Sequence, residues 1–179
     1  MSAPPPAEVS YASIDSPLGT LLLAVTARGL LRVAFCEEHE DSVLARIAER
    51  VSPRIIESRG AVAPVQRELE EYFAGSRRAF ATPIDRSLIG AFAWRVLRAT
   101  SEIPYGSVLS YGDVAAEAGS PRGSRAAGNA LGSNPIAVVI PCHRVLRSGG
   151  AIGGYGGGLH RKRRLLELEG ALAPASNYS

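Results

Sequence analysis

One stretch in the last third of the chain constrains the fold most strongly: an apolar run that a proline closes just before a cysteine and a histidine. Residues 136–140 read Ile-Ala-Val-Val-Ile, and Pro141, Cys142 and His143 follow at once. The run predicts a buried segment, and Pro141 predicts a bend, because proline fixes φ and has no backbone donor. The sequence therefore places a thiol on a bend at the end of a buried segment, beside an imidazole.

This thiol has two interpretations. A free cysteine usually behaves as an inert small hydrophobe, since only the thiolate is a good nucleophile. A histidine that is oriented by a carboxylate is one means of forming that thiolate. The adjacency of Cys142 and His143 alone leaves both a structural cysteine and a nucleophile open.

The residues around the thiol narrow the choice. Asn134 and Pro135 precede the apolar run, Pro-Cys-His-Arg-Val occupies residues 141–145, and Gly-Tyr-Gly-Gly-Gly occupies residues 154–158. This ordered string resembles the active-site signature of the O6-alkylguanine-DNA alkyltransferases, also called methylated-DNA–protein-cysteine methyltransferases. Ser-Pro-Leu-Gly at 16–19 and Glu-Tyr-Phe-Ala-Gly at 71–75 resemble the family's amino-terminal domain, so the resemblance covers residues 9–170.

The resemblance implies a DNA-repair enzyme that acts once per molecule. It would flip O6-alkylguanine, with O4-alkylthymine as a further candidate, out of duplex DNA and transfer the alkyl group to Cys142. His143 and Glu169 would complete a relay with the thiol through a water molecule. Asn134 would belong to the same network, and Tyr111 would help the departing guanine take up its proton.

The final predicted helix, residues 159–169, supports a role for Glu169 on physical grounds. Its cations come first and its glutamates last, against the preference of the helix dipole. Glu169 shares an inward face with Leu165 and Leu166, and a carboxylate turned toward a core needs a partner. A carboxylate at the rim of the core remains the alternative interpretation of Glu169.

Two short predicted helices, residues 110–118 and 124–131, flank a Gly-Ser-Pro-Arg-Gly turn and fit a helix-turn-helix. Arg125 lies in the first turn of the second helix, where the dipole disfavours a cation. The resemblance makes Arg125 a finger that fills the gap left by the extruded base. It also places this helix in the minor groove, where small residues permit close approach: Ala126, Ala127 and Gly128. Tight packing inside the protein is the alternative explanation for those small residues.

The glycine-rich loop is implied to form the wall of the base pocket. Tyr155 and Gly156 would line it with backbone amides exposed, and the carbonyls of Cys142 and Val145 would accept from the guanine amine. The family often has serine at position 156 and glutamine at position 93, where this chain has Gly156 and Ala93. The loop does not follow a strand of a βαβ unit, so it is a poor nucleotide-binding loop. We expect no cofactor, since the substrate itself supplies the alkyl group.

Composition and charge limit the remaining possibilities. Residues 1–86 carry 10 Arg against 12 Asp and Glu, a net charge of −2, whereas residues 87–179 carry 10 Lys and Arg against 5, a net charge of +5. A basic second half suits a polyanion such as DNA, although a solvated surface would look the same. No apolar stretch approaches the roughly 20 residues that span a bilayer, and the start lacks a signal peptide, so a cytoplasmic protein is expected. We also expect a monomer.

The predicted fold is α+β. A leader at 1–8 precedes a scaffold domain at 9–86, built from a small antiparallel sheet and helices. A mostly helical, winged-helix-like domain follows at 87–170, and a flexible tail occupies 171–179. In the first domain, Cys36 and His39 fall short of the four ligands of a structural zinc site, so no metal is expected. Cys36 follows an apolar strand and is predicted to be buried.

Two rival functions remain. A non-enzymatic module could bind alkylated DNA on the same scaffold without transferring the alkyl group. A cysteine hydrolase could use Cys142 with His143 or His160, although adjacent residues rarely make the direct contact that such a dyad needs.

Overall fold

The computed structural model describes residues 7–174 and divides them into two compact units. The first contains the residues up to Gly90 together with Pro135–Ala137, and the second contains Ala91–Asn134 and the residues from Val138 onward. Residues 1–6 of the predicted leader and residues 175–179 of the predicted tail lie outside the described residues. The domain boundary at 86/87 stays a prediction.

The first unit is built on a mixed sheet with the strand order β3-β2-β1-β4. Its strands are β1 (Val9–Ile14), β2 (Leu21–Thr26), β3 (Gly29–Phe35) and β4 (Ile55–Glu57). The first three pair antiparallel, as the predicted antiparallel sheet requires, but β4 pairs with β1 in parallel. Helix α1 (Glu40–Arg50) lies between β3 and β4. The expectation of a wholly antiparallel sheet is therefore wrong. The chain crosses over through α1 before β4, and a crossover of this kind allows β4 to lie parallel to β1.

Strand β2 is buried on both faces of the sheet. Leu22 and Ala24 pack with Val43 and Ile47 of α1. Helix α2 (Arg59–Phe73) packs against β1 and β2 and buries Tyr72 completely. Each large apolar side chain buried in this way contributes about 1.5–3 kcal/mol, so the two helices hold the sheet in place.

A short segment after α2 is bonded to the edge of this sheet. Leu30 donates its amide to the Pro83 carbonyl at 2.8 Å, and Asp85 donates its amide to the Leu30 carbonyl at 2.9 Å. Gly29 makes this approach possible: its φ is +133°, and a Cβ there would lie 2.2 Å from the Pro83 carbonyl oxygen. Only glycine fits that backbone position.

Cys36 corrects one expectation. Its thiol is exposed, not buried, because β3 ends at Phe35 and Cys36 opens the turn that leads to α1. The apolar residues before it predicted burial for a position that the strand does not reach.

The described residues bear on two further expectations. Residues 7–174 contain no group of three or more His, Cys, Asp or Glu side chains placed to hold a metal ion. Within the same residues, every helix is too short or too polar to cross a membrane.

The second unit is mostly helical. It contains α3 (Ala91–Ser101), β5 (Leu109–Ser110), α4 (Tyr111–Glu117), α5 (Ser124–Gly132), β6 (Val145–Leu146) and α6 (Leu159–Leu168). Helices α3, α4 and α5 pack against one another, and β5 pairs with β6 in parallel. Helices α4 and α5 form the predicted helix-turn-helix.

The predicted ends of two helices in this unit are confirmed. Ser110 Oγ accepts from the Asp113 amide at 3.1 Å, and the Asp113 carboxylate accepts from the Ser110 amide at 3.2 Å. This reciprocal pair is a capping box, and it fixes the start of α4. At the other end of the unit, Gly170 adopts φ +74° directly after the cap residue Glu169, which ends α6.

Candidate active site

Cys142 lies at the start of a single 3₁₀ turn, Cys142–Arg144, as the bend at Pro141 predicted. Val138 lies four residues earlier and is a β-branched residue with φ +70°. A β-branched residue rarely adopts this left-handed conformation, so the backbone segment that leads to Cys142 is strained at Val138. The apolar run is buried as expected, with Ile136 and Ile140 at 0% and 1% exposure.

The thiol is buried and hydrogen-bonded. Asn134 Nδ2 donates to Cys142 Sγ at 3.2 Å and to the Ile140 carbonyl at 3.1 Å. Burial raises the pKa of the Cys142 thiol, while the bond from Asn134 and the charge of Lys162 act in the opposite direction. The thiol is therefore protonated at neutral pH and needs a base to become a nucleophile.

His143, Arg144 and Glu169 form a buried charged network. His143 Nε2 lies 2.7 Å from Glu169 Oε1. Arg144 binds both carboxylate oxygens, from Nε to Oε2 and from Nη2 to Oε1, each at 2.9 Å. The third guanidinium nitrogen donates to the Ile103 carbonyl at 2.7 Å. Glu169 is thus turned inward, as predicted from its position beside Leu165 and Leu166.

This network fixes the state of the imidazole. Burial lowers the pKa of His143, although its bond to Glu169 opposes the shift. A neutral ring beside an ionised carboxylate donates from Nε2, so Nδ1 carries the free electron pair. Among the described residues Nδ1 is buried and has no hydrogen-bond partner. His143 therefore holds a proton-accepting atom that the fold leaves uncommitted.

Lys162 and Arg161 explain the reversed charges of α6. The Lys162 side chain is fully buried, and its Nζ donates to the Val145 carbonyl at 2.6 Å and the Gly154 carbonyl at 3.0 Å. Arg161 is also buried and donates to the Gly157 carbonyl at 2.9 Å. Two buried cations thus hold a glycine-rich loop that has few side chains of its own. Burial lowers the pKa of Lys162 to about 8.

A cavity of about 660 Å³ opens beside the thiol, entirely within the second unit. Its lining includes six residues that the sequence singled out: Tyr111, Arg125, Gly128, Cys142, Tyr155 and Gly156. Tyr111 donates its hydroxyl to the Gly154 carbonyl at 3.3 Å, so α4 is bonded to the glycine-rich loop. A cavity of this size accommodates a single flat base.

The other predicted residues are not among those that line this cavity. Asn134 is bonded to the Cys142 thiol, and His143 is bonded to Glu169. The Val145 carbonyl accepts a hydrogen bond from Lys162. Ala126 is exposed on α5, whereas the Ala127 side chain is fully buried and packs inside the unit.

Gly156 has a local reason to lack a side chain. A Cβ there would lie 3.2 Å from the Gly132 carbonyl oxygen at the end of α5, which is closer than most side-chain contacts. A serine at this position would require the loop or the helix end to shift by a few tenths of an ångström. The departure from the family pattern at position 156 therefore agrees with the packing of this chain.

Sequence reasoning missed several residues of the site. Arg144 was quoted only as part of a motif, and its role as the second partner of Glu169 depends on a fold-level contact. Lys162 gave a signal, a cation at the positive end of a helix, but its carbonyl partners could not be identified from the sequence. Arg147 and Asn129 also line the cavity, and no pattern indicated them.

Comparison with known proteins covers nearly the whole chain. The 6-O-methylguanine DNA methyltransferase family model for the ribonuclease-like domain matches residues 9–86, and the model for the DNA-binding domain matches residues 91–171. A methylated-DNA–protein-cysteine methyltransferase of Mycobacterium tuberculosis is 41% identical over 168 residues, which is 93% of this chain and 96% of that protein. One of Methanosarcina acetivorans is 37% identical over 163 residues, covering 90% and 98%.

A solved structure has the same architecture. The crystal structure of Mycobacterium tuberculosis OGT in complex with DNA superposes with a TM-score of 0.79 at 40% identity, covering 93% of this chain and 96% of that one. The predicted α+β class, with a small sheet domain before a helical domain, is thereby confirmed.

Proposed function

The chain belongs to the 6-O-methylguanine DNA methyltransferase family, and from that premise we propose that Cys142 is the residue that accepts the alkyl group. The protein repairs DNA by moving an alkyl group from a damaged base to one of its own cysteines, as methylated-DNA–protein-cysteine methyltransferases do. The observation that carries the assignment to Cys142 is a buried thiol, bonded to Asn134 and opening on a base-sized cavity. The other cysteine, Cys36, is exposed in the first unit.

The first step makes the nucleophile. The thiol proton passes, through a water molecule, to Nδ1 of His143, the ring atom that the fold leaves uncommitted. Glu169 accepts from Nε2 and stabilises the imidazolium that results. Arg144 binds the same carboxylate, which limits how strongly Glu169 stabilises the imidazolium. His143 can therefore release the proton again.

The second step transfers the alkyl group. The sulfur attacks the alkyl carbon on O6 of the flipped base, an S–C bond forms, and the C–O bond breaks with its electron pair going to the guanine. The guanine then takes up a proton, for which the Tyr111 hydroxyl at the cavity wall is the proposed donor. The tyrosinate that remains is reprotonated with the proton that His143 took from the thiol, so both residues return to their starting states. The net change converts thiol and O6-alkylguanine into thioether and guanine, so each molecule reacts once.

The helix-turn-helix supplies the proposed DNA contacts. Arg125 and Ala126 are exposed on α5, and Gly128 lines the cavity beside them. Arg125 would fill the base stack after extrusion, and the small neighbours would allow α5 into the minor groove. Flipping costs a few kcal/mol and is easiest for a base whose pairing is already impaired. Among such bases, the proposed substrate is O6-alkylguanine, with O4-alkylthymine as a second candidate.

The same proposal includes a monomer in the cytoplasm that needs no cofactor. One chain carries every group in the steps above, so a single copy suffices. A free thiol that acts once needs a reducing compartment to stay reactive, which supports the cytoplasmic location.

The experiment is a comparison of binding and transfer in Cys142→Ser. The wild type should remove at most one methyl group per molecule from duplex DNA that contains O6-methylguanine. The variant should still bind that duplex and transfer nothing. A wild type that binds without transfer would indicate the non-enzymatic module, and repeated turnover would indicate a hydrolase.

A further inference from the structure

The cavity beside Cys142 contains more positive charge than a neutral base requires. Two arginines line it, Arg125 from α5 and Arg147 from the loop after β6, and no Asp or Glu is among its lining residues. Neither arginine forms an ion pair within residues 7–174. The proposed function places Arg125 in the base stack and gives Arg147 no role, so Arg147 is the charge at this cavity that an uncharged base does not explain.

Arg147 is held at the edge of this cavity by a tight turn. Its amide donates to the Ala151 carbonyl at 2.9 Å, and its carbonyl accepts from the Gly150 amide at 3.0 Å. Gly149 and Gly150, with φ of +88° and +87°, close the turn. The backbone of Arg147 is therefore fixed even though the residue is exposed.

Gly153 and the Tyr111 ring lie next to the side chain of Arg147 and set its direction. Its Cγ lies 3.3 Å from where a Cβ on Gly153 would be, and the Tyr111 ring lies 3.1 Å from the same point. The stem therefore runs beside Gly153 and the Tyr111 ring. The charge is close enough to Tyr111 and Lys162 to favour the deprotonated form of each.

We infer that Arg147 binds a backbone phosphate next to the flipped nucleotide, from a different element of the cavity wall than Arg125. This inference rests on the proposed function. A guanidinium group on a fixed turn matches phosphate oxygens in geometry and charge. Such a contact positions the nucleotide without reading its sequence, because phosphate contacts carry no base information.

The test measures binding to an undamaged fluorescent duplex at several salt concentrations. Each phosphate contact contributes about 0.9 to the slope of log affinity against log salt. Arg147→Gln should lower the slope by about one and weaken binding at low salt by about tenfold. Arg147→Lys should recover most of the slope, since a lysine also binds phosphate as a point charge.

Arg98→Gln is the matched control. Arg98 is exposed on α3 and does not line the cavity, and its substitution removes the same charge. It should leave the slope and the repair activity unchanged. An equal loss of slope in Arg98→Gln, or no loss in Arg147→Gln, would overturn the inference.

A second arm separates two sources of negative charge. If Arg147 instead bound a carboxylate on the alkyl group, Arg147→Gln would slow transfer from O6-carboxymethylguanine more than from O6-methylguanine and leave binding of the undamaged duplex intact. That result would overturn the phosphate assignment. Equal slowing of both adducts, together with weaker binding of the undamaged duplex, supports it.

Failure of the inference and failure of the proposed function give different results. Transfer by the wild type tests the function, whereas the salt slope of the variants needs no transfer. Reaction with the free base O6-methylguanine, which has no phosphate, should be impaired less by Arg147→Gln than reaction with DNA. An equal loss on both substrates would show that the variant damages the site itself and would contradict the phosphate role.

Discussion

Two buried side chains, His143 and Arg144, share the carboxylate of Glu169, and it satisfies both only as an anion. Glutamine keeps the shape of this residue but loses the charge. In Glu169→Gln, Arg144 remains buried without its counter-ion, and we expect a loss of about 3 kcal/mol in the free energy of unfolding. Denaturant unfolding measures this directly.

The same variant should also slow the chemistry. Without the carboxylate, His143 loses the group that orients its ring and stabilises its protonated form. A single-turnover assay should give a transfer rate lower by on the order of 10²-fold. Glu117→Gln, at an exposed position on α4, should change neither the stability nor the rate. A Glu169→Gln protein that transfers at the wild-type rate would remove the relay from the mechanism.

The lowered pKa of Lys162 predicts how the stability of the protein depends on pH. Its pKa is about 8 in the folded protein against 10.5 for an ordinary lysine. Between those values the unfolded chain binds more protons than the folded one, so stability contributed by Lys162 rises with pH. Lys162→Met removes this contribution and leaves two carbonyls without a donor, at a cost of about 2 kcal/mol.

The measurement is the difference in unfolding free energy between wild type and Lys162→Met at pH 7, 8 and 9. That difference should grow with pH. Both proteins are made with Cys142→Ser, because Lys162 and the Cys142 thiol each shift the pKa of the other and the thiol titration would not cancel. A difference that stays flat or shrinks as pH rises would mean that the buried ammonium is not destabilised by its surroundings.

At the scale of one helix, α4 depends on its capping box. Ser110 and Asp113 satisfy two amides that would otherwise have no partner at the helix start. Ser110→Ala should lower stability by about 1 kcal/mol. Ser148→Ala, in an exposed turn, should stay within about 0.5 kcal/mol of the wild type. Thermal unfolding of both variants checks the prediction, and equal stabilities would contradict it.

Helix α5 depends on the size of its side chains. A Cβ at Gly128 would lie 3.9 Å from the Tyr111 ring, an ordinary contact, so alanine fits. Gly128→Ala should stabilise the protein by up to about 1 kcal/mol, because alanine favours helix over glycine. Gly128→Gln should fold equally well but extend into the cavity and weaken DNA binding. Undiminished binding by Gly128→Gln would exclude α5 from the DNA interface.

Across the whole molecule, sequence patterns predicted most elements and misjudged specific contacts. Local signals sufficed for α4, whose cap is encoded in residues 110–113, and for the buried run before Pro141. They failed for the parallel pairing of β4 with β1, since that pairing depends on a crossover and not on local periodicity. Cys36 was misassigned because the apolar residues before it say nothing about where the strand ends.

The same distinction between local signals and fold-dependent contacts applies to the residues of the site. Of the residues matched by motif, Cys142 and Tyr155 line one cavity, and Asn134 is bonded to the thiol. The partners of Arg144 and Lys162 include backbone carbonyls 41 and 17 residues away in the chain. Every residue has a carbonyl, so no composition or spacing marks those that the fold will bring to a buried cation.

The central claim is that a buried thiol is the acceptor and the exposed one is not, and peptide mass spectrometry tests it most directly. The protein is mixed with excess duplex DNA that contains O6-methylguanine and is then digested. We predict a mass gain of one CH₂ on the peptide that contains Cys142, at no more than one group per chain. A gain on the Cys36 peptide, or on neither, would contradict the account.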